Sequence, residues 1–92
     1  MSTITLRHSH TMKSDRLREA VQALADKLVD KFGGSAGWQG DEIHYEYSGG
    51  LKACVACSAD EVQVDVELKG VMSLFRDRIA SEVEGYLQRH IS

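Results

Sequence analysis

The chain has 92 residues, 42% apolar and 27% charged, which are the proportions of an ordinary folded domain in a length too short for two separate cores. No apolar run approaches the roughly 18 residues of a membrane helix, so composition argues against both a helical membrane span and a disordered chain. Eleven Lys and Arg against 14 Asp and Glu leave a formal charge of -3, which disfavours nucleic acid or another polyanion as partner.

From the amino terminus, Met1 to Leu6 meet Arg7 without an apolar stretch, so no secretory signal is expected and the cytoplasm is the expected compartment. Cys54 and Cys57 fit that reducing environment as free thiols. Over Thr3–Ser9, Ile4 and Leu6 alternate with Thr3, Thr5 and Arg7 in the period of a half-buried strand, and His8 and His10 share the apolar parity. Ser14 is expected to cap a helix carrying Asp15 in its first turn and ending at Phe32 before Gly33-Gly34. Leu17, Ala20, Val21, Leu24, Leu28 and Phe32 form its apolar stripe, which must lie on a sheet. Gly33 to Gly37 follow a helix rather than open one and include no lysine, so they read as a helix stop and linker, not a phosphate loop.

A short segment around Trp38, a turn at Gly40-Asp41 and the alternating Glu42–Tyr47 read as a hairpin. Ser48-Gly49-Gly50 turns the chain into Leu51–Ser58, and Ala59-Asp60-Glu61 turns it into a strand where Val62, Val64, Val66 and Leu68 alternate with polar residues. After Gly70 a final helix is expected to place Val71, Met72, Phe75, Ile79, Val83, Leu87 and Ile91 on one stripe. Matching inward to inward residues pairs Tyr47 with Leu51, Ile43 with Val55 and Cys57 with Val62. The outward face then sets Lys52 between Glu46 and Glu67, and Cys54 between His44 and Asp65. The expected fold is α+β: an antiparallel sheet of four or five strands with both helices on one face, as a single domain over 1–92.

Several segments in this order resemble the polyhydroxyalkanoic acid system family of small bacterial proteins. The resemblance rests on Ile4-x-Leu6 with His10-Thr11, the Leu/Ala stripe of the first helix, Ser48-Gly49, and Ala59-Asp60-x-Val62-x-Val64. It continues through Leu68, Val71-Met72, Phe75, Arg78-Ile79-x-x-Glu82-Val83 and Leu87. The chain departs from the family pattern at Gly50-Leu51-Lys52-Ala53, where the usual second glycine is displaced. The resemblance implies an accessory role in polyhydroxyalkanoate storage, with no catalytic residues to carry over.

Individual clusters are weighed on geometry. In the row His44, Cys54, Asp65 the thiol, not the imidazole, is central, which is wrong for a nucleophilic triad, and the outer side chains start about 10 Å apart, too far for one metal ion. Cys54 and Cys57 point to opposite faces of a strand, against a redox or zinc C-x-x-C. His8 and His10 are expected to hydrogen-bond backbone. Leu74 lies about 100° from Phe75 with no obvious core to enter, so Val71, Met72 and Leu74 are the expected contact with a polyhydroxyalkanoate granule, another protein of the system or a second copy of the chain, with plain core as the alternative. Phe32, Trp38, Tyr45, Tyr47 and Phe75 are the candidate lining of a cavity between helices and sheet, which would make the protein a module for an acyl or hydroxyacyl ligand. The reading favoured is a non-enzymatic cytoplasmic accessory protein at the granule, with no catalytic residue, metal or cofactor.

Overall fold

The computed structural model describes residues 2–91; Met1 and Ser92, the two ends of the expected domain, lie outside the described residues. The elements run β1 (Ser2–Ser9), α1 (Ser14–Phe32), β2 (Ser35–Gln39), β3 (Glu42–Tyr47), β4 (Leu51–Cys57), β5 (Glu61–Leu68), a 3-10 helix (Gly70–Phe75) and α2 (Arg76–His90). All five strands pair antiparallel in the order β1-β5-β4-β3-β2, so the fold is α+β and the strand-helix-meander-helix order is the expected one. The β3–β4 and β4–β5 registers match the inward-to-inward pairing residue for residue, including Tyr47 with Leu51 and Cys57 with Val62.

Strand period two explains the core. Ile43 and Tyr45 of β3, Leu51, Ala53 and Val55 of β4, and Val62, Val64, Val66 and Leu68 of β5 are all buried on the helix-bearing face. Against them lie Leu17, Val21, Leu24 and Ala25 of α1 and Ile79, Val83, Tyr86 and Leu87 of α2. Helix α1 links the two edge strands and packs over β2, β3 and β4, while α2 lies along β1. A Lys31–Glu82 ion pair at 2.6 Å joins the helices on their exposed side, and Lys31 holds the Glu82 carboxyl below its usual range.

Polar side chains close the joints. The Tyr45 hydroxyl donates to Gly33 O at 2.6 Å, satisfying a carbonyl just past the end of α1, and Tyr86 donates to Ala20 O at 2.7 Å. Buried His10 accepts the Met12 N–H at Nδ1, which makes Nε2 the protonated nitrogen that donates to Ser58 O at 2.9 Å. His8 hydrogen-bonds the Ile91 carbonyl. Both histidines therefore bond backbone, and His10 fastens the β1–α1 connection to the β4–β5 turn.

Three local expectations change. Ser14 is already helical: Lys13 holds the cap position without a side-chain bond, its carbonyl accepts the Leu17 N–H, and Asp15 Oδ1 takes the Arg16 N–H. The linker is only Gly33-Gly34, because Ser35, Ala36 and Gly37 pair with β3 as an exposed edge strand. Ladder hydrogen bonds there outweigh weak strand propensity. The last helix does not begin at Gly70. A 3-10 segment precedes it, and its three-residue turn replaces the 3.6-residue period that had put Val71, Met72 and Phe75 on one stripe.

Two glycines are needed for backbone reasons. Gly34 has φ +88°, and a Cβ there would collide with the Glu46 carbonyl; Gly50 has φ +110°, and a Cβ there would lie 2.5 Å from Lys69 O. Gly34→Ala is therefore expected to cost about 1–3 kcal/mol in chemical denaturation. Gly37→Ala, where a Cβ meets nothing within 4 Å, is expected to change stability by less than about 0.5 kcal/mol.

Candidate functional site

The face of the sheet without helices is polar and regular. Register places Gln39, Glu42, Ala56, Gln63 and Arg7 in one row across the strands, Gly37, His44, Cys54, Asp65 and Thr5 in the next, and Ser35, Glu46, Lys52, Glu67 and Thr3 in the third. The second and third rows line a broad shallow trough between β1 and β2. Lys52 stands between Glu46 and Glu67, and Cys54 between His44 and Asp65.

Side-chain contacts redistribute the middle row. Asp65 is engaged through both oxygens, accepting from Thr5 Oγ1 at 3.0 Å and from Gln63 Nε2 at 3.2 Å. Cys54 instead donates to Glu42 Oε1 at 3.1 Å. The ligand-type atoms of Glu42, His44 and Cys54 all lie within 4.8 Å of one another. Glu42 is absent from a row-by-row reading because it stands one row away. Its only sequence signal is that it shares strand and parity with His44, while the residue opposite it is the small Ala56, over which a carboxylate can lean diagonally.

This environment makes Cys54 a weak nucleophile. Burial first, then the hydrogen bond and charge of Glu42 and the charge of Asp65, push its thiol up to about 11. Cys57 points to the helix face, packed against the core, and burial raises its thiol as well. The two sulfurs lie on opposite sides of β4, as strand geometry requires.

The apolar candidates separate. In the 3-10 helix, residues three apart eclipse each other, so Val71 and Leu74 stack outward at 70% and 81% exposure while Met72 turns into the core at 7%. Met72 is thus an anchor beneath the surface rather than part of it. Phe75, three residues after Met72, would share its side by that period, but it stands where the 3-10 segment gives way to α2 and is 44% exposed rather than part of the core stripe. Among the aromatic candidates, Tyr45 is buried and Phe32, Trp38 and Tyr47 are half-buried against the core, apart from the exposed Phe75. Trp38 donates its indole N–H to Gln22 Oε1 at 2.7 Å and lies under the Arg18 guanidinium.

Residues 4–91 match a family model described as "Putative polyhydroxyalkanoic acid system protein". No curated protein matches the chain. Among the described residues, no helix is long and apolar enough to cross a membrane.

The thiol environment carries a measurable consequence. A pKa near 11 in place of 9.0 lowers the thiolate fraction at neutral pH by about a hundredfold, and greater intrinsic nucleophilicity returns part of it, so Cys54 is expected to alkylate about tenfold slower than an unperturbed thiol. In a Cys57→Ser background the rate is expected to keep rising with pH towards 11, and Glu42→Gln, which removes the Glu42 charge, is expected to accelerate it at neutral pH. Iodoacetamide kinetics followed by mass spectrometry read both.

Proposed function

The chain belongs to the polyhydroxyalkanoic acid system family, and from that premise we propose that it is a non-enzymatic cytoplasmic accessory protein of polyhydroxyalkanoate storage that binds the polyester granule surface through its 3-10 helix. The observation that carries this reading is the outward pair Val71 and Leu74, with the partly exposed Phe75 next in the chain, three large apolar side chains reaching solvent from one short segment. Isolated exposed apolar residues are ordinary, but a fixed cluster presents a dry contact surface.

The turn is held in place from below. Met72 is inserted in the core, and the Ser73 hydroxyl donates to Gly70 O at 2.7 Å, so the patch is rigid before any surface arrives. The flanking cations are turned to other partners. Lys69 lies 3.6 Å from Glu67, while Arg76 pairs with Asp77 and donates to Thr3 O. Covering Val71 and Leu74 would contribute on the order of 1–2 kcal/mol each, and the already half-covered Phe75 about 1 kcal/mol more, which suits attachment to an aliphatic polyester. The non-enzymatic part of the reading is supported by the protonated, centrally placed Cys54, whose raised thiol pKa opposes nucleophilic work.

In sedimentation with amorphous poly(3-hydroxybutyrate) particles, the wild-type chain is expected to bind saturably. Leu74→Asp is expected to weaken binding by about tenfold or more, through the cost of desolvating a carboxylate, with an unchanged thermal melt. Met72→Asp is expected to unfold the protein, because the same charge would enter the core. Equal binding by wild type and Leu74→Asp would overturn the assignment. A wild-type dimer that ignores the particles and becomes monomeric in Leu74→Asp would assign the patch to a second copy instead.

A further inference from the structure

We infer that Glu42, His44 and Cys54 form a binding site for a thiophilic divalent metal ion, with zinc as its reference ion, on the open face of the sheet. One carboxylate, one imidazole and one thiol converge from β3 and its neighbour β4, with ligand atoms within 4.8 Å of one another. A tetrahedral zinc ion with bonds of about 2.0–2.3 Å holds its ligand atoms roughly 3.4–3.6 Å apart. Cys54 Sγ and Glu42 Oε1 are already 3.1 Å apart, so rotation of the exposed Glu42 and His44 side chains towards the half-buried thiol can close the set. The objection to the row His44, Cys54, Asp65 was that its outer members start two strand spacings apart. Glu42 removes it, because all three donors now come from a single pair of adjacent strands.

The surroundings favour a cation and leave it accessible. Asp65 stands beside Cys54 on β5 and contributes negative charge while Thr5 and Gln63 hold it back from the ligand set. Gly37, next to His44 on β2, has no side chain, and Ala56 opposite Glu42 has a small one, so a fourth position is open to water or another ligand. On binding, the thiol proton leaves to solvent and the sulfur ligates as thiolate. Mixed sulfur, nitrogen and oxygen donors select zinc and its neighbours over magnesium and calcium, which take oxygen ligands. The site is independent of the apolar 3-10 turn and of any reading built on it.

The test uses the reduced, untagged full chain, with zinc followed by calorimetry and cobalt(II) by absorption. One equivalent of zinc and a thiolate-to-cobalt charge-transfer band are expected. Cys54→Ser is expected to abolish the band, and Cys54→Ser, Glu42→Gln and His44→Ala are each expected to weaken zinc binding by about tenfold or more, with circular dichroism unchanged. Cys57→Ser is expected to retain both signals. Absence of saturable zinc binding would overturn the proposal, as would a band that survives Cys54→Ser or disappears in Cys57→Ser. Zinc binding indifferent to both Glu42→Gln and His44→Ala would also overturn it, by assigning the ion to a lone thiol.

Discussion

The register of β4 between β3 and β5 is the constraint on which the remaining structure depends. Strand side chains alternate with period two, so a slip of one residue would send Leu51, Ala53 and Val55 to solvent and bring Lys52 and Cys54 under the helices. Both neighbours oppose that slip at once. Ile43 and Tyr45 on one side and Val64, Val66 and Leu68 on the other demand apolar partners, while Glu46 and Glu67 flank Lys52 on the opposite face. With β4 fixed, α1 and α2 have one apolar surface to cover, and the polar rows of the open face fall into place as its geometric complement.

The covered face is finished by hydrogen bonds as much as by packing. Tyr45, Tyr86 and Trp38 reach from the sheet and α2 to groups of α1 or the carbonyl just beyond it, and His10 ties the entry of α1 to the β4–β5 turn. Among the described residues, no buried side-chain nitrogen or oxygen is left without a partner. Matched groups of this kind fix helix position, because displacing a helix would leave a buried polar atom unpaired at a cost of about 1–3 kcal/mol. The polar ends of Tyr45 and Trp38 are thereby committed to the fold's own closure.

Two different surfaces remain outward. One is apolar and sits on a short turn where the chain passes from β5 into α2, with Met72 buried beneath it. The other is ionic and lies on the rungs joining β3 to β4. They differ in the chemistry they present: the turn offers aliphatic and aromatic carbon, and the rungs offer lone pairs held at short separation.

Much of this was legible in the residues. Clean alternation in β3, β4 and β5 determined the strands, their antiparallel pairing and the neighbours of Lys52 and Cys54, because a period of two leaves few registers that keep apolar facing apolar. That Leu74 stands off the main apolar stripe was readable too, but its exposure to solvent rather than burial in more core was decided by the fold. Tertiary structure decided what periodicity cannot carry. The 3-10 turn separated Val71 from Met72, and the change of backbone at Phe75, where the 3-10 segment gives way to α2, left that ring 44% exposed while Met72 stays buried. Edge pairing with β3 made a strand of Ser35-Ala36-Gly37, whose own propensities argue for a linker. The approach of Glu42 to Cys54 depends on a diagonal lean over Ala56 and on Asp65 being held by Thr5 and Gln63. Those are facts about side-chain rotamers and competing partners across four strands, and a pattern of residue types along one strand does not contain them.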